Sequence, residues 1–177
     1  LAAQGDAAVP SPRPAAVAAP RQALSINPVY AMFGVYTGEF ERAVGIGTTL
    51  SLGASYWDAG GDGELDAGEP ADGRISYFTS DLRLRYYPSG TALMGFSFGV
   101  SGGYARLAGE ISDSEESAKG HAGGPTFGVE LNYSWLLGER RNVALSTGLG
   151  AKRLFVREAD NASVVYPTVK LGLGLAF

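Results

Sequence analysis

The stretch over 58–69, which reads DAGGDGELDAGE, has the residue types and spacing of a twelve-residue EF-hand calcium loop. In that frame Gly63 falls at position 6, where the chain must turn sharply, and acidic residues fall at positions 1, 5, 9 and 12. The candidate Ca²⁺ ligands are Asp58, Asp62, Glu64 (through its backbone carbonyl), Asp66 and Glu69. Gly60 replaces a ligand at position 3 and no flanking helices are predicted. The sequence therefore predicts either a weak calcium site or an acidic loop without metal.

His121 is the chain's one histidine, and it follows the run ISDSEESAKG. A serine, an acid and a histidine can hydrolyse an acyl bond when they are held within hydrogen-bond reach of one another. The run has no nucleophile elbow, and its composition is typical of a solvated loop. We therefore predict that the protein is not an enzyme, with a lipid hydrolase that uses His121 as the open alternative.

The composition excludes several other classes of function. The 177 residues contain no cysteine, so disulfides and thiolate metal sites are excluded. A net charge of -4 argues against nucleic acid as a partner, because phosphate binding needs clustered Lys and Arg. The glycine-rich segments lack the spacing of a phosphate-binding loop. No apolar run approaches the ~18–20 residues of a membrane-spanning helix, which leaves strands as the way to cross a bilayer.

The elements that must position the polar residues are β-strands, because apolar residues alternate with small ones from Leu24 onward. In GPTFGVELNYSWLLG, Phe127, Val129 and Leu131 share one face and Gly, Thr and Ser residues share the other. An apolar face of nearly ten residues is the length of a tilted strand that crosses a bilayer. The predicted strands are 24–33, 35–43, 46–57, 74–87, 93–109, 122–137, 142–156 and 163–177.

The connections between these strands alternate in length. The turns near Gly45, Pro88 and Gly138 are short. Three connections are longer and polar; they are the loops 58–73, 110–121 and 157–162. Short turns on one rim and long loops on the other are typical of an outer-membrane barrel. Aromatic residues at strand ends suit the girdles of such a barrel; they are Tyr56, Trp57, Tyr86, Tyr87, Tyr133, Trp135 and Phe177.

The first 23 residues form a separate segment that is rich in Pro and Ala and has no hydrophobic periodicity. Such a segment cannot bury enough surface to fold alone. We predict two regions, a disordered periplasmic tail over 1–23 and a barrel over 24–177.

Eight charged residues interrupt the inward face of the predicted strands. They are Glu39, Glu41, Asp81, Arg83, Arg85, Glu130, Lys152 and Lys170. Four acids balance four bases, and charges in a narrow lumen need partners because desolvating an unpaired ion is costly. The lumen of an eight-stranded barrel is only wide enough for side chains. We therefore predict a network of ion pairs that plugs the lumen, with a gated ion pathway as the alternative.

Three motifs carry a resemblance to a known family: the terminal LGLGLAF, the YYPSG that follows DLRLR, and EFER at 39–42. With them, residues 24–177 resemble the small OmpA-like and OmpX-like outer-membrane barrels of Gram-negative bacteria. The resemblance implies the bacterial outer membrane as the location, and lipid, lipopolysaccharide and the barrel-insertion machinery as partners. It also implies that Phe177 is the insertion signal, and it transfers no catalytic residues.

The sequence as a whole predicts an all-β protein, an eight-stranded antiparallel transmembrane β-barrel with a Pro/Ala-rich tail. The predicted role is structural or interactive, through acidic extracellular loops and through a tail that contacts a periplasmic or membrane protein. A narrow channel for ions or small solutes and a lipid-modifying enzyme stay open as alternatives. A soluble lipocalin-like barrel, with its large side chains turned inward, is a further alternative for the fold.

Overall fold

The structure, a computed structural model, describes residues 19–64, 70–112, 117–156 and 162–177. Its strands are β1 (Gln22–Ile26), β2 (Tyr36–Gly45), β3 (Thr48–Glu64), β4 (Pro70–Tyr86), β5 (Gly95–Ser112), β6 (Ser117–Leu137), β7 (Val143–Phe155) and β8 (Ser163–Ala176). One short helix, α1 (Pro28–Met32), follows β1. No helix in these ranges is long and apolar enough to cross a membrane.

The strands form a closed barrel in which each strand pairs antiparallel with the next and β8 pairs with β1. The predicted eight-stranded antiparallel barrel is confirmed. Large apolar side chains such as Leu52, Leu82 and Val129 are exposed on the outer face, and small or charged residues alternate with them on the inner face. This arrangement excludes the lipocalin-like alternative, in which the large side chains would point inward.

The predicted aromatic girdle is present in part. Five of its members are exposed on the barrel; they are Tyr56, Tyr86, Tyr133, Trp135 and Phe177. Tyr87 differs, because its side chain is fully buried and its hydroxyl donates a hydrogen bond to Glu41 Oε1 at 2.9 Å. Trp57 differs as well: it is paired with Tyr77, which lines the lumen.

Two predicted loops are strands for most of their length. β3 continues to Glu64 and β4 begins at Pro70, where a loop over 58–73 was predicted. β5 and β6 likewise extend to Ser112 and from Ser117. Strand pairing depends on backbone hydrogen bonds and not on apolar side chains. These hairpins therefore continue beyond the apolar outer face of the barrel, although many of their side chains are polar.

The start of the barrel also differs from the prediction. The segment predicted as one strand over 24–33 is a five-residue strand followed by α1. Asn27 caps the helix by accepting a hydrogen bond from the Tyr30 backbone N–H, and Pro28 occupies the first turn, which suits proline. β1 begins at Gln22, two residues before the predicted start of the barrel, and residues 1–18 of the predicted tail lie outside the described ranges.

Because β1 is short, the barrel wall has a gap on the rim of the long hairpins. β8 pairs with β1 only from Leu173 to Ala176, and over 163–172 it has β7 as its one strand partner among the described residues. On the other side, β3 continues beyond its pairing with Tyr36, the first residue of β2. The Tyr30 hydroxyl of α1 donates to the Val169 carbonyl at 3.0 Å, which places the helix against the edge of β8. We call this opening the wall gap.

Candidate functional site

The eight charged residues predicted for the lumen lie on β2, β4, β6, β7 and β8, and each belongs to an ion pair. The strand register places them on the inner face at neighbouring levels of the barrel. Glu39 of β2 is paired with Gly53 of β3, which is in turn paired with Asp81 of β4. The structure thus brings all eight together, and we call the assembly the lumen network.

Arg85 is the centre of the lumen network. Its side chain is 1% exposed and contacts three carboxylates on two other strands. Its Nη1 donates to Glu39 Oε1 at 2.6 Å and to Glu41 Oε2 at 2.7 Å, and its Nε donates to Glu130 Oε1 at 2.5 Å. Glu41 also accepts a hydrogen bond from Thr49 at 2.6 Å. A guanidinium has five donors in a fixed fork, so one arginine ties β2, β4 and β6 together.

The remaining cations complete the lumen network on the side of the long hairpins. Arg83 donates to Glu39 Oε2 at 2.6 Å and to Asp81 Oδ2 at 3.1 Å. Lys152 Nζ lies 2.5 Å from Asp81 Oδ2, and Lys170 Nζ lies 2.7 Å from Glu39 Oε1. Every charge is therefore compensated, which is the condition for burying ions without a large desolvation cost.

The glycines of the inner face make room for these long side chains. A Cβ at Gly53 would collide with the Arg83 guanidinium, and a Cβ at Gly99 would lie 2.7 Å from Glu130 Cγ. Both contacts would be closer than the normal separation between non-bonded carbon atoms. Small and charged residues thus share the inner face, because the lumen has no room for a long side chain at every position.

A cavity of about 270 Å³ adjoins the lumen network. Six of the eight network residues line it, together with Thr79 and Asn132 and residues of β1, α1, β7 and β8. The Thr79 hydroxyl and both amide atoms of Asn132 are buried without a hydrogen-bond partner among the described residues. The sequence prediction did not single out Asn132, although its alternation with Glu130 and Ser134 on the inner face was a signal for it.

The candidate calcium ligands are brought together only in part. The Asp58 carboxylate lies on the long β3–β4 hairpin, where it accepts hydrogen bonds from Arg74 Nη2 at 2.7 Å and from the Tyr56 hydroxyl at 2.8 Å. These hydrogen bonds, the one from Arg74 above all, lower the pKa of Asp58. Asp62 and Glu64 belong to β3, whereas the predicted ligands Asp66 and Glu69 lie outside the described residues.

In the part of the chain that the structure describes, no group of three or more His, Cys, Asp or Glu residues could hold a metal ion. Ca²⁺ binding by the hairpin stays a prediction. It would require Asp58 to exchange Arg74 for the metal.

His121 lies in β6, paired with Ala108 of β5, and its side chain is exposed on the outer part of the long hairpin. It was predicted in a loop over 110–121; this boundary was wrong, because β6 begins at Ser117. Residues 113–116, which carry most of the neighbouring acids, lie outside the described ranges.

An antiparallel barrel of eight strands, with an apolar outer face and charged side chains on its inner face, is of the outer-membrane β-barrel class. The chain belongs to the family described as "Protein of unknown function (DUF3575)", which matches residues 10–165. No curated protein sequence matches it.

The fold is similar to that of Ail, the attachment invasion locus protein of Yersinia pestis. The crystal structure of Ail in complex with the heparin analogue sucrose octasulfate has a TM-score of 0.61 at 12% identity, covering 90% of this chain and 100% of that one. A second crystal structure of Ail has a TM-score of 0.57 at the same identity and coverage. The N-terminal barrel domain of Pseudomonas aeruginosa OprF matches 88% of this chain and 94% of its own at 16% identity, with a TM-score of 0.44. The likeness to Ail concerns the fold.

Proposed function

We propose that the protein is an outer-membrane β-barrel whose lumen is closed by the lumen network, and that its role is structural or interactive. The main observation in support of this proposal is that Arg85 is buried among three carboxylates from two other strands. A conducting pathway would have to pass these groups, and breaking one buried pair leaves an uncompensated charge. In this proposal the barrel is a scaffold that holds its two rims on opposite sides of the membrane.

The outer face supports the membrane location. Exposed Leu, Val and Phe side chains cover strands β2 to β8, and aromatic residues flank them. Phe177 completes the last strand: its N–H donates to the Gln22 carbonyl at 2.9 Å, and its carbonyl accepts from the Gln22 N–H at 2.8 Å. Outer-membrane lipid and lipopolysaccharide would contact the apolar belt, and the insertion machinery would recognise the strand that ends in Phe177.

Location can be tested by refolding the chain into detergent micelles and comparing its gel mobility with and without heating. A heat-modifiable, β-rich species supports the proposal. A species that stays soluble and monomeric without detergent would contradict it.

The interaction role belongs to the rims. The long hairpins would face outward with their acidic residues, and the Pro/Ala-rich tail would extend into the periplasm towards a protein partner. Cross-linking in intact cells, comparing the full chain with a variant that lacks residues 1–18, tests the tail. Loss of a cross-linked protein in the shortened variant is expected; an unchanged set of cross-links would remove the tail from the proposal.

Closure of the lumen is tested by conductance in planar bilayers. The wild-type barrel should be silent, and a Glu39→Ala/Arg85→Ala variant should conduct, because two long side chains leave the centre of the lumen. Arg106 is exposed on β5, and the Glu110 side chain is 41% exposed and pairs with Lys119. Neither residue belongs to the lumen network, so an Arg106→Ala/Glu110→Ala variant is the matched control and should be as silent as wild type. Steady conductance of the wild type would favour the channel alternative instead.

A test of the enzyme alternative uses His121→Ala. Hydrolysis of outer-membrane lipid by the wild type that the variant loses would establish the enzyme and contradict the proposed role.

A further inference from the structure

We propose that the cavity beside the lumen network binds a small neutral amphiphile, which enters through the wall gap and places its polar head on Asn132 and Thr79. This site goes beyond the closed lumen described above. Silence in conductance and ligand binding are separate measurements, so either can fail without the other.

The first observation is a set of buried polar atoms that lack partners. Asn132 is 3% exposed and Thr79 is 6% exposed, and both line the cavity. Neither Nδ2 nor Oδ1 of Asn132 has a hydrogen-bond partner among the described residues, nor does Thr79 Oγ1. Buried polar groups are nearly always hydrogen-bonded, and an exception needs an explanation. A ligand head that both donates and accepts would satisfy Asn132.

The charges around the cavity favour an uncharged head. Lys152 and Lys170 border the cavity, but their ammonium groups are paired with Asp81 and Glu39 at 2.5 and 2.7 Å. An ionised head would have to break one of these pairs and leave a buried charge uncompensated. An amide or a hydroxyl head avoids that cost.

The wall gap supplies the route. Thr168 and Lys170 from the inner face of β8 line the cavity, and so do Val169 and Leu171 from its outer face. These residues lie in the stretch of β8 whose one strand partner among the described residues is β7, so the other edge of the strand has no strand beside it there. Pro167 lies in the same part of β8, and proline inside sheets is confined to edges, where a missing N–H breaks no ladder bond.

The outer side of the gap is apolar. Ile26 at the end of β1 and Val169 on β8 are both exposed hydrophobic residues that line the cavity. Met32 and Phe33, at the end of α1, are exposed as well. An apolar chain that leaves the cavity through the gap would therefore lie against apolar side chains and the acyl chains of the outer leaflet.

The volume sets the size of the ligand. An apolar cavity of about 150 Å³ holds a benzene molecule, so about 270 Å³ corresponds to roughly ten non-hydrogen atoms on the same scale. A head group with a chain of about seven carbons has that size, and longer chains would extend into the gap.

Octanamide, with a neutral amide head and about that size, is the probe. We would titrate it into the full chain in phosphatidylcholine nanodiscs and follow the methyl resonances of Val35 and Val169 by NMR. Both residues line the cavity. Saturable shifts of both methyl groups are expected, with octanoate and octylammonium binding at least tenfold more weakly. An absence of saturable shifts, or equal binding of all three probes, would overturn the proposal.

Variants test the head-group contacts. Asn132→Leu and Thr79→Val should each weaken octanamide binding, Asn132→Leu by at least tenfold. Ser97→Ala is the matched control, because Ser97 is fully buried, its hydroxyl has no hydrogen-bond partner in the part of the chain that the structure describes, and it does not line the cavity. It should bind as wild type does. If Thr79→Val and Asn132→Leu both fold and bind like Ser97→Ala, the polar head does not lie on these residues and the proposal is wrong.

A second pair of variants tests the route. Val169→Trp places a bulky side chain on the open edge of β8, whereas Val129→Trp places one on β6, which has neighbouring strands on both sides. The two valines are exposed to similar extents, 50% and 53%. Association of octanamide should slow severalfold in Val169→Trp and stay unchanged in Val129→Trp. Equal rates would show that the ligand does not enter through the wall gap.

Discussion

The lumen has two regions that differ in whether their buried polar side chains have partners. Around Arg85, every charged side chain is paired. Beside it, towards β7, β8 and the wall gap, a cavity remains, and the amide of Asn132 has no hydrogen-bond partner among the described residues. Both regions are built on the same barrel from the same kinds of small and polar residue.

The difference lies in how the two regions gain or lose stability. A complete network holds its strands together, because removing any member leaves a costly charge. An incomplete one costs stability until a ligand completes it. The paired region therefore fits a structural role, and the unpaired region fits a binding role.

The largest expected effect comes from breaking the paired region. Arg85→Met removes the cation that neutralises Glu39, Glu41 and Glu130, and should lower the free energy of unfolding by about 3–5 kcal/mol. Urea unfolding of the barrel in lipid vesicles, followed by gel mobility, measures this. Arg106→Met, the same change at an exposed site on β5, should stay within about 0.5 kcal/mol. Similar losses in the two variants would show that the lumen network does not hold the barrel together.

The second prediction concerns the pairing of β1 with β8, which closes the barrel around both regions. A Cβ at Gly174 of β8 would collide with the Leu24 backbone of β1. Gly174→Ala should therefore lower the free energy of unfolding by about 1–3 kcal/mol, the usual cost of overpacking. Gly109→Ala, at a position where no atom of the described residues lies within 4 Å of the added Cβ, is the control and should be nearly neutral. The same unfolding assay applies, and a neutral Gly174→Ala would mean that β1 and β8 are less closely packed.

A third prediction sharpens the contrast by changing the unpaired region. Asn132→Leu replaces a buried amide that lacks partners with an apolar side chain of similar size, and should raise the free energy of unfolding by about 1 kcal/mol without ligand. Its effect is thus opposite in sign to that of Arg85→Met. A clear loss of stability would show that Asn132 is already hydrogen-bonded in the protein.

The smallest effect is expected on the long β3–β4 hairpin, where Arg74 lowers the pKa of Asp58. Because the folded pKa lies below the ordinary value of about 3.9, this pair stabilises the folded state above that pH and stops doing so as the pH falls through the folded pKa. In Arg74→Gln, the NMR titration midpoint of the Asp58 carboxyl should rise towards the ordinary value. An unchanged midpoint would show that the ion pair does not form in solution.

Much of the fold could be predicted from the sequence because alternation is enforced by physics. In β6, residues 126–135 alternate between large apolar and small or polar side chains, and a strand exposed to lipid on one side requires that. The same alternation placed Glu39, Arg85 and Lys170 on the inner face. It could not show which charges meet, since that depends on the register between strands.

The differences between the predicted and the observed structure have local causes. α1 lies in an apolar stretch, INPVYAMF, that also suits a strand, and only Asn27 and Pro28 signal a helix start. The hairpin beyond Asp58 is rich in Gly and Asp, which are typical of loops, yet β3 and β4 pair through Glu64 and Pro70. The cavity could not be predicted, because it results from the shortness of β1 and no single residue encodes it.

The junction of β1 with β8 joins residues about 150 positions apart through four paired residues, whereas β7 and β8 share thirteen. Bringing distant segments together has an entropic cost that local hairpins avoid. The hairpins should therefore form first, and joining the two ends should be the late, rate-limiting step of assembly. In the finished barrel the same junction should be the first place to separate under heat or force, so the lifetime of the folded protein depends on its shortest ladder.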